Sequence, residues 1–306
     1  MRQIEFRAMG CKIFAALDSP SGRNTRRLEQ LPVWFEAWEQ TLSRFRQDSE
    51  LSLLNQSAGT PVRVSDTLWE VFQVAQRAES TSGGLVTPMI LNALVLAGYN
   101  QSFEEVPHEQ FYSPHKYRTQ TSVHSGTTCN VEERTICLSP GLQLDYGGVA
   151  KGWAAHQAAQ RLKAYGSALV NAGGDIAISS LQDGGQPWSV SVENPFDSES
   201  DLETLELGRC GVATSGKDYR RWKLDGVWSH HIIDPRTGQP AETDVLTSTV
   251  IAPTVMEAEM AAKVVLISGS QSGLAWLDAH PQMAGLLVLD NGKLLYSQQI
   301  EKYLRR

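Results

Sequence analysis

Hydrophobic side chains recur at helical spacing along the N-terminal third of the chain. The longest run follows steps of three and four residues and contains Leu28, Leu31, Trp34, Phe35, Trp38, Leu42 and Phe45. This spacing places all of them on one face, so it predicts one amphipathic helix through the run. The polar segment 44–50 interrupts the pattern and is expected to end the helix.

Five further helices are predicted from capping residues at their starts and from glycine or polar residues at their ends. They cover residues 49–55, 65–83, 150–165, 256–267 and 298–304. Ser49 and Thr254 are expected N-caps, and Ser65 or Asp66 opens the second of these helices. Asn55 is expected to end the first.

Strands are predicted where apolar and β-branched residues alternate or cluster between turn signals. They cover residues 9–17, 136–138, 168–171, 188–193 and 245–252, and a hairpin over 285–296 turns at Asn291-Gly292. Residues 100–128 are polar and irregular, which indicates a long variable loop. Because strands and helices are interspersed without a regular βαβ repeat, we predict an α+β fold with largely antiparallel sheets flanked by helices.

Composition and charge narrow the classes of function. The 306 residues are 41% hydrophobic and 20% charged, as in a globular protein, and we treat residues 1–306 as a single domain. A net charge of -7 argues against a nucleic-acid partner, since phosphate neutralisation needs clustered Lys and Arg. We find no signal peptide, lipid-accepting cysteine or transmembrane run, so we expect a cytoplasmic monomer or homodimer, or a periplasmic protein if the chain has been trimmed.

The four cysteines are Cys11, Cys129, Cys137 and Cys210, and their spacing fits no zinc site. Structural thiols are the default interpretation. A disulfide between Cys129 and Cys137 stays open if the two lie on paired strands.

Two glycine-rich segments are candidates for ligand contact. Residues 147–152 read Gly-Gly-Val-Ala-Lys-Gly at a predicted helix start, where backbone N–H groups attract anions. Residues 171–175 read Asn-Ala-Gly-Gly-Asp after a predicted strand. Either segment can also be a tight structural turn, and Asp145 can bind a ligand or cap the first of these turns.

Three charged or titratable residues near the C-terminus have both a structural and a chemical interpretation. His231 lies near Asp234 and can act as a general base, or it can be a structural histidine. Glu259 and Lys263 are four residues apart on one helix face. They form either a surface ion pair or part of a phosphate site.

The order of these motifs resembles the ApbE family of FAD-dependent flavin transferases. The likeness spans roughly residues 5–270 and rests on the blocks 9–11, 42–55, 84–88, 145–152, 171–175, 213–216, 231–238 and 258–263. The last block, Ala-Glu-Met-Ala-Ala-Lys, is similar to the family's Ala-Asp-Ala-Leu-Ala-Thr. Thr87 stands where the family has an aspartate, and Cys11 where it has a threonine.

The resemblance implies two lobes with a ligand cleft between them, in which FAD lies with a magnesium ion on its diphosphate. A threonine or serine hydroxyl of an acceptor flavoprotein then attacks the FMN phosphorus, and AMP departs. Two alternatives are an FAD diphosphatase that gives FMN and AMP, and an FAD-binding protein without activity.

The same resemblance assigns residues to this site. His231 and Glu259 are the implied catalytic residues, with His231 as the base, and the Gly148 carbonyl and Glu259 are the implied metal ligands. The implied FAD contacts are Met9, Phe45, Leu85, Val86, Thr87, Asp145, Lys151, Ile233, Ala262 and Lys263.

The departures at Glu259 and Lys263 leave three outcomes open. A metal can bind through Glu259 and carbonyl groups alone, since magnesium needs oxygen ligands. Alternatively, the Lys263 ammonium can replace the metal at the phosphates. The protein can also hold FAD without chemistry.

Overall fold

The structure is a computed structural model that describes residues 1–19, 25–110 and 126–305. The seven helices in these ranges are α1 Leu31–Leu42, α2 Glu50–Gln56, α3 Asp66–Thr81, α4 Leu91–Leu96, α5 Ala150–Leu162, α6 Val255–Ser268 and α7 Ser270–Asp278. The strands are β1 Arg2–Ala8, β2 Cys11–Asp18, β3 Val62–Arg63, β4 Glu109–Gln110, β5 Thr127–Asn130, β6 Thr135–Leu138, β7 Ser167–Ala172, β8 Asp175–Ile178, β9 Trp188–Asn194, β10 Asp197–Leu207, β11 Gly211–Gly216, β12 Arg221–Leu224, β13 Val227–His230, β14 Ile233–Asp234, β15 Gln239–Pro240, β16 Val245–Ala252, β17 Ala284–Leu289 and β18 Leu294–Tyr296.

The chain divides into two compact units. Unit 1 comprises residues 1–36, 151–218 and 243–306, and unit 2 comprises residues 37–150 and 219–242. Both units are therefore assembled from segments that are distant in the sequence.

Unit 1 is built on an eight-stranded antiparallel sheet in the order β1-β2-β7-β8-β11-β16-β17-β18. Adjacent residues of β11 show what covers each face, because successive side chains of a strand point to opposite sides. A side chain at Gly211 would collide with the backbone of Val255 at the start of α6. Val212 points the other way and packs in a core cluster with Trp188 and Leu205 of the β9–β10 ribbon. Helix α6 therefore covers one face of the sheet and the ribbon covers the other.

Unit 2 combines α2, α3 and α4 with three small sheets, ordered β3-β6-β5, β13-β12-β4 and β14-β15. One of its cores contains Tyr99, Trp222 and Ile233 packed with Leu94 and neighbouring apolar residues of α4. Trp222 is fully buried, and its indole N–H donates to the carbonyl of Ala97. This bond ties the middle strand β12 to the end of α4.

The α+β fold with largely antiparallel sheets is confirmed, and most predicted elements are present. Ser49 and Ser65 cap α2 and α3, and Thr254 caps α6 with a full capping box in which Glu257 bonds back to its backbone. The hairpin around Asn291-Gly292 is also present. Local signals thus located the starts of α2, α3, α5 and α6, whereas α4 and α7 were not predicted.

Two predicted helices end at other residues in the structure, and a third is not an α-helix. The first helix stops at Leu42, because the Ser43 hydroxyl accepts the N–H of Phe45 and turns the chain. Asn55 does not end α2 but lies buried inside it. The predicted C-terminal helix is only a short 3-10 turn over Ile300–Lys302.

The predicted loop over 100–128 falls partly outside the described residues, which omit 111–125. Its described ends include a short 3-10 turn at Phe103–Glu105 and the strands β4 and β5.

The disulfide between Cys129 and Cys137 that the sequence left open does not form, in agreement with the default interpretation of free thiols. The two cysteines do lie on paired strands, but Cys129 is opposite Ile136 and Cys137 is opposite Thr128. A one-residue offset points the two side chains to opposite faces of the sheet. Both thiols are free.

Replacing Asn55 by alanine should lower the free energy of unfolding by about 2–6 kcal/mol, because it leaves two buried backbone groups without a partner at about 1–3 kcal/mol each. The Asn55 side chain donates to the Leu144 carbonyl at 2.9 Å and accepts the Leu144 N–H at 2.7 Å. Urea unfolding followed by circular dichroism measures the change.

Asn92→Ala is the matched control, since Asn92 makes one exposed bond to the Gly141 carbonyl that water can replace. Equal losses in the two variants would contradict the role given to Asn55.

Candidate functional site

Four charged side chains of unit 1 form what we call the lysine–carboxylate cluster: Lys151, Asp175, Glu259 and Lys263. Lys151 bonds directly to the Asp175 carboxylate. Its Nζ also lies 3.8 Å from Oε1 of Glu259, which in turn is 3.3 Å from Nζ of Lys263. The four groups therefore form one continuous chain of opposite charges.

The backbone of three elements positions this cluster. Lys151 lies in the first turn of α5, Asp175 begins β8 after the Gly173-Gly174 turn, and Glu259 lies in the middle of α6. Glu259 Oε2 accepts the backbone N–H of Gly152 at 3.1 Å. A Cβ at position 152 would be 2.6 Å from that oxygen, so only glycine allows the approach. The α5 N-terminus was one candidate for anion binding, and its Gly152 N–H holds the protein's own carboxylate.

Burial and the charges of neighbouring groups shift the pKa values in this cluster, often in opposite directions. Burial alone would raise the pKa of Glu259, but Lys263 and Lys151 outweigh it and lower that pKa below its ordinary value. Burial and the nearby Glu259 charge raise the pKa of Asp175 to about 6, against the opposing pull of Lys151. Burial would lower the pKa of Lys151, but Asp175 and Glu259 raise it. The Asp175 and Glu259 carboxylates and the Lys151 ammonium are accordingly charged at neutral pH. The formal charges of two carboxylates and two lysines sum to zero.

Unit 2 carries a second group, which we call the aromatic–arginine cluster: Arg44, Phe45, Tyr99, Trp222 and His231. The Arg44 guanidinium lies 4.1 Å from the ring centre of Phe45 and 4.7 Å from that of Tyr99. Tyr99 stacks on Trp222 at 5.4 Å and meets the His231 ring edge-on at 6.4 Å. Phe45 is 40% exposed, so its ring is accessible although its neighbours are packed.

Asp145 serves the second cluster as an anchor. Its Oδ2 lies 2.8 Å from Nε of the buried Arg44, and its Oδ1 accepts the N–H of Gly147 at 2.9 Å. Arg44 also donates to the Tyr99 carbonyl. The capping interpretation of Asp145 is therefore realised, since both carboxylate oxygens bind the protein itself.

The His230 ring is fixed by hydrogen bonds to backbone groups. Nδ1 of His230 accepts the N–H of Ile232, so its Nε2 must carry the proton and donate to the Ala241 carbonyl at 3.2 Å. This arrangement locks His230 as a structural histidine. The Asp234 carboxylate accepts a two-pronged bond from the Arg236 guanidinium.

The other predicted residues are spread over both units. In unit 1, Met9 begins the β1–β2 turn with φ +51°, and Ala262 is fully buried in α6. In unit 2, Leu85, Val86 and Thr87 form a loop in which the Thr87 hydroxyl bonds to Glu79. Gly148 and Ile233 are also in unit 2, Gly148 in the turn before α5 and Ile233 in the apolar core beside Trp222.

The profile of the ApbE family matches residues 9–287, most of the chain. The chain belongs to the ApbE family.

Its relatives include curated proteins named FAD:protein FMN transferase. One from Treponema pallidum is 28% identical over 310 residues, covering 96% of this chain and 86% of the relative. One from Vibrio cholerae is 32% identical over 247 residues, covering 78% of this chain and 72% of the relative.

Solved structures of the family share the fold. The ApbE protein of Thermotoga maritima superposes with a TM-score of 0.87 at 23% identity, covering 100% of this chain and 99% of its own. The flavin transferase ApbE of Vibrio cholerae has a TM-score of 0.80 at 26% identity, with 99% of both chains covered.

The magnesium ion implied by the resemblance does not fit the side chains present in this ApbE protein. Both oxygens of Glu259 are already bonded, one to Lys263 and one to Gly152. Two ammonium groups lie within 4 Å of that carboxylate and would repel a divalent cation. In residues 1–19, 25–110 and 126–305, no three His, Cys, Asp or Glu side chains are grouped as metal ligands.

In the same ranges, no helix is long and apolar enough to cross a membrane.

The sequence reasoning missed Arg44, Tyr99, Trp222 and Asp175 as site residues. Asp175 had a usable signal, since it directly follows the Gly173-Gly174 turn. The other three come from segments up to 178 positions apart (residues 44 and 222), and no local pattern connects them. The prediction of a surface Glu259–Lys263 pair was half right: the pair forms, but Glu259 is only 1% exposed.

Lys151→Met should lower the free energy of unfolding at pH 7 by about 3–5 kcal/mol, because it leaves buried carboxylates without their cation. Without Lys151, the pKa of Asp175 rises further above its unfolded value. A raised folded pKa adds stability below the unfolded value of about 4, and this is lost as pH rises through the folded pKa. The deficit relative to wild type should therefore be larger at pH 7 than at pH 5, as measured by urea unfolding.

Lys12→Met is the control, because the Lys12–Glu5 pair is exposed and should change little. A deficit of the same size at both pH values would contradict the charge-coupled arrangement.

Proposed function

We propose that this protein is an FAD:protein FMN transferase. The observation that supports this best is the family match over residues 9–287, together with curated relatives of that name that cover 96% and 78% of the chain. The acceptor in this proposal is a threonine or serine hydroxyl of another protein.

The reaction has a simple balance of bonds. The acceptor hydroxyl oxygen forms a bond to the FMN phosphorus of FAD, and the bond from that phosphorus to the bridging diphosphate oxygen breaks. AMP leaves with the electron pair of the broken bond, and the hydroxyl proton passes to a base. Negative charge accumulates on the phosphoryl oxygens, so a fixed positive charge there lowers the barrier.

We assign the diphosphate to the lysine–carboxylate cluster of unit 1. Lys151 and Lys263 provide ammonium donors suited to phosphate oxygens. The cluster is held by bonds to α5 and α6, so its charges are oriented before substrate arrives. Fixed charges of this kind need no reorganisation during the reaction.

We assign an aromatic ring of FAD to Phe45 of unit 2. Its ring is partly exposed, and it contacts the Arg44 guanidinium and the Tyr99 ring. Stacking on such a platform requires little rearrangement because the side chain is already fixed.

We assign the role of base to His231. Its neighbour His230 has both ring nitrogens bonded to backbone groups and cannot exchange a proton without breaking one. His231 packs against Tyr99 in the aromatic–arginine cluster, beside the proposed ring platform.

Incubation with FAD should release AMP only when an acceptor protein or peptide with a threonine is supplied, and the acceptor should gain the mass of FMN. Liquid chromatography of the nucleotides and mass spectrometry of the acceptor measure both products. AMP release without acceptor would replace this proposal by FAD hydrolysis. FAD binding with no AMP under either condition would indicate a binding protein.

His231→Gln should reduce the transfer rate by about 100-fold or more, the usual contribution of a positioned base, with FAD affinity nearly unchanged. His230→Gln is the matched control and should retain transfer while lowering the unfolding midpoint. Single-turnover transfer and FAD titration separate the two effects. Normal transfer by His231→Gln would remove this residue as the base.

A further inference from the structure

We propose that the paired ammonium groups of Lys263 and Lys151 supply the positive charge at the FAD diphosphate, so that this protein binds and transfers without a divalent metal. This inference rests on the proposed function. It concerns how the same site meets the phosphate charge, which the family resemblance assigns to magnesium.

The exposure of the four side chains gives the cluster a positive outer side. The Asp175 and Glu259 side chains are 2% and 1% exposed, whereas the Lys151 and Lys263 side chains are each 16% exposed. The two lysine side chains are therefore the more solvent-accessible members of the cluster. A cluster with no net charge thus presents cations to whatever binds there, and the buried anions keep them in place.

Charge balance explains why glutamate at position 259 occurs together with lysine at position 263. A buried carboxylate needs a partner, and Glu259 finds it in Lys263 one helical turn away. The extra methylene relative to aspartate takes the carboxylate to the Gly152 N–H. Glu259 is thereby committed to internal bonds, and Lys263 acts as the cation that it holds.

Adding a divalent ion to this cluster would be unfavourable. Two carboxylates and two ammonium groups already balance, so a magnesium ion would bring a net charge of two into a largely buried site. Magnesium also requires near-octahedral oxygen ligands at short range. Lys263 cannot be a ligand while it carries its proton.

An ammonium group can supply the positive charge that the family resemblance assigns to magnesium at the diphosphate. It donates up to three hydrogen bonds, and Lys263 gives its nearest ones to Glu259, with Nζ at 3.3 Å from Oε1 and 3.4 Å from the backbone carbonyl. Both bonds are long, so a phosphate oxygen at the exposed side can compete for the donor. Two such groups supply the same formal charge as one magnesium ion.

Isothermal titration of FAD into the purified protein tests this inference directly. We expect the dissociation constant in EDTA to be within about threefold of the value in magnesium chloride. AMP release with an acceptor should also continue in EDTA. Binding or transfer that requires magnesium would overturn the inference while leaving the transferase proposal intact. Absence of FAD binding in both buffers would overturn both.

Lys263→Met should weaken FAD binding in EDTA by about tenfold or more, the value of a charge-assisted hydrogen bond. Lys217→Met is the matched control, because Lys217 is 15% exposed and paired with Asp290 in the same unit. It should leave FAD affinity unchanged. Equal affinities of Lys263→Met and wild type would overturn the role of Lys263.

The double variant Glu259→Asp with Lys263→Thr restores the residues that the family resemblance places there. We expect it to bind FAD about tenfold or more tightly with magnesium than with EDTA, because an oxygen site replaces the ammonium. Lys263→Arg keeps the charge and should stay indifferent to EDTA. Circular dichroism and urea midpoints confirm folding of each variant. A double variant that is folded, binds FAD and ignores magnesium would contradict the inference.

Discussion

Glu259 is a carboxylate buried in the middle of a helix, and burying an isolated charge costs several kcal/mol unless it is paired and hydrogen-bonded. Its environment is arranged to meet that requirement. Lys263 comes from the same helix, Lys151 from the start of α5, and the Gly152 N–H from the α5 backbone. Since each partner must approach within bonding distance, this one carboxylate constrains how α5 meets α6. The charges of the lysine–carboxylate cluster are organised around it.

The eight-stranded sheet provides the frame on which these charges can be held. Helix α6 approaches β11 so closely that position 211 must be glycine, and the ribbon of β9 and β10 closes the other face of the sheet. A helix packed this tightly keeps its side chains in fixed rotamers. The Glu259 carboxylate and the Lys263 ammonium are therefore positioned by the same contacts that stabilise the core.

In unit 2, a buried ion pair fixes aromatic rings rather than ammonium groups. Arg44 is buried and bonds to Asp145 and to the Tyr99 carbonyl, and its guanidinium face supports the rings of Phe45 and Tyr99. The charge of one pair thus fixes an aromatic surface. In both units, an internal ion pair holds in place the groups that we assign to substrate.

Local rules of the sequence were sufficient for many elements of this protein. Caps at Ser49, Ser65 and Thr254 and the Asn291-Gly292 turn depend on neighbours within four residues, and the order of short motifs identified the family. Only the tertiary structure decided that Asn55 is buried inside α2, that the two cysteines face apart, and that Glu259 is an internal rather than a surface ion pair. The reason is physical: burial, strand register and charge pairing depend on partners distant in the chain, such as Leu144 for Asn55 or Gly152 for Glu259.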